Sequence, residues 1–120
     1  MTQNENSKQY DLEDRTLRFA KGVIRLVGIL PKTLANIEIM KQIIGSSGSV
    51  GANYIEANEA LSKKDFAMRV KICRKEAKES SYWLRLMELQ GEDPAKKRDA
   101  LIKEATELMK IFGSIVEKVK

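Results

Sequence analysis

Positively charged residues are concentrated in one short stretch of this sequence. Between Ser62 and Lys78 there are seven cations against only two acidic residues, and this surplus of five equals the formal net charge of all 120 residues. On a helix most of these cations share one side, and the candidate nucleic-acid contacts are Lys63, Lys64, Lys71, Arg74, Lys75 and Lys78. Cations spaced along one face can follow the phosphates of RNA or DNA. A solvated outer face of a helix has the same pattern, so both interpretations stay open.

Acidic residues form a second set that could carry chemistry. Glu56 and Glu59 are three positions apart, as are Glu76 and Glu79, and residues three apart share a helix face. Two antiparallel helices that brought the four carboxylates together would suit Mg²⁺, which prefers oxygen ligands. All-α nucleotide pyrophosphohydrolases use a similar spacing of acidic pairs. A magnesium-dependent hydrolase of that kind is therefore an alternative function, against the simpler interpretation of surface glutamates paired with lysines.

A polar line runs along the middle of the chain with spacings of four, three, four and three. Its members are Gln42, Ser46, Ser49, Asn53 and Glu56. The regular spacing predicts a buried seam of hydrogen bonds that fixes the register between helices or subunits. A stripe that faces solvent is the alternative.

The remaining reactive residue types are scarce. Histidine is absent, which removes the most common general base and zinc ligand and excludes di-iron bundle sites built on Glu-x-x-His. Cys73 is the only cysteine, so it cannot form an internal disulfide, and we expect it to be an inert core residue. Trp83 is expected to pack at a contact between helices or subunits. These residues indicate no catalytic group, no metal site and no cofactor.

Four amphipathic helices must position these side chains. The apolar periodicity predicts helices over about 12–30, from 35 to 57 or 60, over 63–90, and from Asp93-Pro94 onward. Ser62 is expected to cap the third helix, Gly91 to end it, and Asp93 to cap the fourth with Pro94 at its first position.

Residues 45–52 contain three glycines and resemble a loop by local rules. We interpret them as helix because the apolar stripe keeps its phase on both sides, and a linker between two short helices is the alternative. The small residues of this segment, Gly45 with Ser49 and Gly48 with Ala52, predict flat faces where a neighbouring helix approaches closely.

The pattern predicts one domain. Residues 1–10 are expected to be a flexible tail, and residues 11–120 an all-α, antiparallel, up-down-up-down four-helix bundle. No apolar run approaches the roughly 18 residues of a membrane span, and no apolar signal region begins the chain, so we expect a cytoplasmic protein. A second apolar line on the fourth helix predicts more apolar surface than one core needs, and hence a subunit of an oligomer: Ile102, Met109 and Val116.

Several segments carry a resemblance to a known family. They are residues 10–20 (YDLEDRTLRFA), 30–33 (LPKT), 49–57 (SVGANYIEA), 62–66 (SKKDF) and 75–84 (KEAKESSYWL), together with Gln42. In combination, Ser-x-x-x-Asn-x-x-Glu-Ala and a downstream Glu-x-x-x-Trp-Leu are quite specific. Over nearly the whole chain, from Tyr10 to about Phe112, the sequence resembles the 23S rRNA intervening-sequence proteins, a four-helix-bundle family once labelled ribosomal.

The resemblance implies an antiparallel four-helix bundle that assembles as a homopentamer. The family is similar to the accessory variability protein of diversity-generating retroelements, a basic pentameric barrel that binds nucleic acid and a reverse transcriptase. No enzymatic activity comes with the resemblance. The motif positions it assigns, with Gln42, form a structural polar motif: Gln42, Ser49, Asn53, Glu56, Glu79 and Trp83.

The expected function is therefore a non-enzymatic, oligomeric bundle whose basic surface contacts RNA or DNA, alone or within a nucleoprotein complex. A pure protein–protein assembly module is a further alternative. It predicts a ring without salt-sensitive affinity for nucleic acid.

Overall fold

Four helices make up the described backbone. The computed structural model describes the backbone of residues 3–120 and the side chains from Leu12 onward. The helices are α1 (Gln3–Ile29), α2 (Leu34–Asn58), α3 (Lys63–Leu86) and α4 (Glu92–Lys118). α3 packs on α2 and α4, and α1 packs on α2 and less extensively on α4. This is the predicted antiparallel four-helix bundle. In the part of the chain that the structure describes, no helix is long and apolar enough to cross a membrane.

The core lies between the four helices and takes side chains from each of them at spacings of three and four. Its largest fully buried members include Phe19, Leu26, Ile43, Leu84, Leu108 and Phe112. The second apolar line of α4 also belongs to this core, because Ile102 and Met109 pack against it and Val116 is buried. This line therefore packs on the core of the bundle, although Ile102 and Met109 are only partly buried, and the oligomer expected from it stays a prediction.

α2 runs unbroken through residues 45–52, which confirms the helical interpretation of the glycine-rich segment. The close approach lies elsewhere than predicted. A Cβ atom on Gly51 would lie 3.0 Å from Thr16 Oγ1, whereas a Cβ atom on Gly45 or Gly48 would meet nothing within 4 Å. α1 therefore closes on α2 at Gly51, and the flat faces predicted at Gly45 and Gly48 receive no helix of the same protomer.

The first residues of α3 and α1 can be compared with the predicted ones. Ser62 caps α3 as predicted, since its Oγ accepts a hydrogen bond of 3.1 Å from the Asp65 backbone N–H. α1 begins at Gln3 rather than near Leu12. Residues 1–2 and the side chains of residues 3–11 lie outside the described part, so the flexible tail over residues 1–10 stays a prediction.

α3 ends at Leu86, four residues before the predicted end at Gln90, and the cause is the buried side chain of Asn36. Asn36 Nδ2 donates to the carbonyl oxygens of Pro31 and Glu88, both at 2.9 Å, and its Oδ1 accepts from the Glu88 backbone N–H at 3.0 Å. The Glu88 N–H is thereby diverted from the helix to a side chain of α2. The chain leaves the helix because this tertiary hydrogen bond replaces the helical one.

The start of α4 also differs from the prediction. Gly91 is the residue before α4, with φ of 95°, rather than the stop of α3, and α4 begins at Glu92. The positive φ favours glycine. Asp93 and Pro94 lie in the first turn, where the missing N–H of proline breaks no helical hydrogen bond.

Candidate nucleic-acid interface

The six predicted cations form one exposed surface along α3, which we call the basic surface: Lys63, Lys64, Lys71, Arg74, Lys75 and Lys78. It lies opposite the side of α3 that buries Val70, Cys73 and Ala77. Arg74 marks the edge toward α4, because its Cδ atom lies 3.7 Å from the position of a Cβ atom on Gly113. α3 therefore presents a buried side to the core and a cationic side to solvent.

The cations of the basic surface are not held in ion pairs. Within residues 12–120, where side chains are described, none of the six cations forms an ion pair. Arg69, the seventh cation of the stretch, is half-buried and donates from Nη1 to Asn53 Oδ1 at 3.0 Å, so it belongs to the packing of α3 on α2. Adjacent unpaired cations repel one another, and a bound polyanion would relieve that repulsion.

The polar line of α2 forms hydrogen bonds only in its middle. Ser46 is buried and accepts a hydrogen bond of 2.9 Å from Ser80 Oγ of α3. Asn53 Nδ2 donates to the carbonyl oxygen and the Oγ of Ser49, at 2.9 and 3.0 Å. Gln42 and Glu56, at the two ends of the line, are exposed. The seam thus joins α2 to α3 over its central residues, and its ends face solvent.

An open cleft of about 690 Å³ spans α2 and α3, and we call it the aromatic cleft. It is lined by Gln42, Lys75, Lys78, Glu79, Tyr82 and Trp83. Trp83 is half-buried and packs against the core, in agreement with the helix contact expected of it, whereas the side chain of Tyr82 is 58% exposed. The two ring centroids are 5.1 Å apart at an interplanar angle of 73°. The cleft brings Gln42, Glu79 and Trp83 of the polar motif together with two lysines of the basic surface. It also adds Tyr82, which the sequence placed one turn beyond Lys78.

The four predicted magnesium ligands do not meet. Glu56 and Glu59 line a different cleft of about 240 Å³ with Asp65 and Arg69, whereas Glu79 lines the aromatic cleft. Burial raises the pKa of Glu76, as does the nearby charge of Glu79, while Lys75 lowers it. Among the described residues, no three acidic or cysteine side chains are grouped closely enough to hold a metal ion. The geometry required by the hydrolase alternative is absent from this part of the chain.

Cys73 is fully buried in the core, and this burial raises the pKa of its thiol to about 12. The thiolate is the reactive form of cysteine, so the thiol is inert at neutral pH. This agrees with its interpretation as a core residue.

An apolar face lies on the outer side of α1 and α2, and we define it by Leu17 and Ile24 of α1 and Ile44, Gly48 and Ile55 of α2. Its four large side chains are between 46% and 57% exposed. Gly48 and Ile55 flank Gly51, where α1 touches α2, and Leu17 follows Thr16, the residue that Gly51 contacts. Glu13, one turn before Leu17, accepts a hydrogen bond of 2.9 Å from Asn58, one turn beyond Ile55, so these exposed side chains of α1 and α2 border the same groove.

Comparisons with known proteins agree on the family. A family model described as 23S rRNA-intervening sequence protein matches residues 8–114. A similar solved structure is a protein of the S23 ribosomal protein family from Bacteroides thetaiotaomicron, itself described as having unknown function. It is 32% identical, its TM-score is 0.74, and the match covers 92% of this chain and 98% of that chain. No curated protein matches the sequence.

Proposed function

Because this chain belongs to the 23S rRNA-intervening sequence protein family, we propose that it is a non-enzymatic, cytoplasmic homo-oligomer that binds RNA or DNA through the basic surface. The observation that carries the proposal is the set of six exposed cations along one helix, without an ion pair among the described side chains. Alternating charges of both signs are typical of a solvated helix face with many ion pairs, and the six cations of the basic surface do not follow that pattern. Residues 62–78 alone carry a net charge of +5, which equals the formal net charge of the whole chain.

The basic surface suits a polyanion better than a small anion. Its cations are spread along the helix from Lys63 to Lys78, about 22 Å at the helical rise of 1.5 Å per residue. Among the described side chains, the aromatic cleft takes only Lys75 and Lys78 of the six cations, so the basic surface is an open track along the helix rather than a pocket. A nucleic-acid backbone supplies regularly spaced phosphates over such a length, and its bound counterions are released on contact.

Binding should therefore depend steeply on salt. We expect the protein to bind a structured RNA, with log K falling linearly against log[salt] at a slope of about −4 to −5 for roughly five neutralised phosphates. Fluorescence anisotropy of labelled RNA over a salt series measures this slope. Changing Lys71, Arg74, Lys75 and Lys78 together to glutamate should abolish the binding.

The matched control changes four exposed cations outside the basic surface: Arg25, Lys32, Lys96 and Lys97 to glutamate. It alters the net charge by the same amount, so it separates a local surface from a general charge effect. The proposal is supported if the control variant keeps its affinity for RNA and the variant of the basic surface loses it. Equal losses of affinity in the two variants would contradict the proposal, as would the absence of salt-sensitive binding by the unmodified protein. If the protein forms an oligomer but shows no such binding, the assembly module is favoured.

Self-association is the second part of the proposal, and the apolar face supports it. The residues that remain exposed there are large aliphatic side chains, and a second copy of the chain would remove them from water. Gly48 leaves room for a neighbouring helix because a Cβ atom there would meet nothing within 4 Å. The family resemblance makes the expected assembly a pentamer.

Light scattering at several concentrations tests this part. We expect a multiple of the 13.6 kDa chain mass for the unmodified protein and the mass of one chain for Ile44→Glu, with the helical circular dichroism retained. Leu86→Glu is the control, because Leu86 is about as exposed (44%) but lies on α3. A monomer at every concentration would refute self-association and leave nucleic-acid binding to be judged by its own test.

A further inference from the structure

The aromatic cleft lies in line with the basic surface. Lys71, Lys75, Lys78 and Tyr82 are spaced by four, three and four positions, so they share one face of α3. From the first to the last they span about 16 Å at the helical rise. Lys75 and Lys78 belong to both features, since they are part of the basic surface and also line the cleft. A strand that follows the lysines would therefore arrive at an exposed aromatic ring.

The walls of the cleft supply the remaining chemistry for a nucleobase. The ring of Tyr82 offers a flat surface, and stacking on aromatic rings is how proteins hold the bases of single strands. Gln42 carries an amide that both donates and accepts, and Glu79 carries a carboxylate that accepts from N–H groups. These side chains can form hydrogen bonds with the edges of an unpaired base. If the cleft held only phosphates, the negative charge of Glu79 would repel them, so a base is the better match for Glu79.

The exposure of Tyr82 fits a binding role better than a structural one. Its neighbours Ser81 and Leu84 are buried, while 58% of Tyr82 lies open to solvent. The apolar face proposed for self-association lies toward α1, and the cleft lies on the other side of α2, toward α3. The apolar face and the aromatic cleft therefore share no residue.

From these positions we propose that the aromatic cleft binds one unpaired base of a single-stranded segment, with Tyr82 as the stacking surface and Lys75 and Lys78 on the flanking phosphates. The inference rests on the proposed function and specifies it, because it makes the preferred partner single-stranded rather than duplex nucleic acid. In a duplex the faces of the bases are already stacked and their edges are already paired, so stacking on Tyr82 would first cost a few kcal/mol of unstacking.

The chain contains one tryptophan, and it lies in this cleft. Titration with a short unlabelled single-stranded RNA, and with the DNA of the same sequence, should therefore quench the fluorescence of Trp83. Anisotropy with labelled oligonucleotides measures the affinity in parallel. We expect both single strands to bind more tightly than the corresponding duplex, and the comparison of RNA with DNA identifies which of the two is preferred.

Tyr82→Ala should weaken single-strand binding by about 5- to 100-fold, the equivalent of one lost stacking contact. The salt slope should stay unchanged, because the cations remain in place. Tyr82→Phe should retain the affinity, since it keeps the ring and loses only the hydroxyl. Met68→Ala is the matched control, because Met68 is similarly exposed on α3 (48%) and lies outside the cleft.

Two results would overturn the inference while the proposed function stands: salt-sensitive binding in which duplex and single strand are equivalent, or an unchanged affinity in Tyr82→Ala. A changed oligomer mass in Tyr82→Ala would also overturn it, because the cleft would then be a subunit contact. Failure of the unmodified protein to bind any nucleic acid would overturn both proposals.

Discussion

Replacing Asn36 with alanine is expected to lower the free energy of unfolding by roughly 2–4 kcal/mol, a large share of the stability of a small domain. The Asn36 side chain is fully buried and makes three hydrogen bonds to backbone groups, two to Glu88 and one to Pro31. Alanine would leave these groups without their partner in a site shielded from water. It would also release the segment that follows α3 from the start of α2.

Urea unfolding followed by circular dichroism measures this effect. The matched control is Asn53→Ala, since Asn53 also makes three side-chain hydrogen bonds, two to Ser49 and one from Arg69, but is only half-buried. We expect that control to cost about 0.5–1.5 kcal/mol. Asn36→Asp should cost at least as much as Asn36→Ala at neutral pH, because it would bury a carboxylate whose oxygen faces the carbonyl oxygens of Pro31 and Glu88. A loss in Asn36→Ala no greater than in Asn53→Ala would contradict the stabilising role of the three hydrogen bonds that Asn36 makes to Pro31 and Glu88.

Gly51→Leu is expected to separate α1 from α2, at a cost of roughly 1–3 kcal/mol. Even a Cβ atom at this position would lie 3.0 Å from Thr16 Oγ1 and 3.2 Å from Thr16 Cβ. Leucine is the better helix former by roughly 1 kcal/mol, so steric pressure must exceed that gain for the variant to be destabilised. α1 is the helix that gives way, because it packs less extensively on α4 than α3 does.

Gly48→Leu provides the comparison within the same helix. A Cβ atom there meets nothing within 4 Å, so the gain in helix propensity should appear without the clash. Both variants are best measured by urea unfolding in the Ile44→Glu background, so that subunit association does not contribute. Stabilisation by Gly48→Leu with destabilisation by Gly51→Leu is the expected result. The same change in stability at both positions would show that the approach of α1 at Gly51 is not limiting.

The features that follow from local periodicity could be predicted from the sequence. The four helices, the cationic side of α3 and the helix through residues 45–52 all depend on spacings of three and four along one chain. Features set by contacts between helices could not be predicted this way. The early end of α3 depends on Asn36, which lies 52 positions before Glu88. The need for glycine at position 51 depends on where Thr16 of α1 lies.

The carboxylate hypothesis failed for a reason that concerns the pairing of α2 with α3. The three-residue spacing within each pair of glutamates shows which side of its helix the pair occupies. It does not show how far along the bundle axis Glu56 lies from Glu76. Hydrogen bonds now join Ser46 to Ser80 and Asn53 to Arg69. In this antiparallel alignment Glu56 lies opposite the beginning of α3, and Glu76 lies several turns away. Only four residues connect α2 to α3, so residues near the end of α2 can face only residues near the beginning of α3. This limit keeps Glu56 and Glu76 apart.

The hydrogen bond between Ser46 and Ser80 disfavours other registers of α3 against α2. Both hydroxyls are buried. Ser80 Oγ donates to Ser46 Oγ only when α2 and α3 sit at one height, whereas Ser46 Oγ also reaches the Ile43 carbonyl oxygen of its own helix at 3.5 Å. Sliding α3 by one turn would still bury an apolar stripe, but it would take this partner from the Ser80 hydroxyl at a cost of about 1–3 kcal/mol. The pair adds little to the stability of the native bundle compared with alanine at both positions. Its larger effect is to raise the energy of competing packings, so that the chain folds to one bundle rather than to several similar ones.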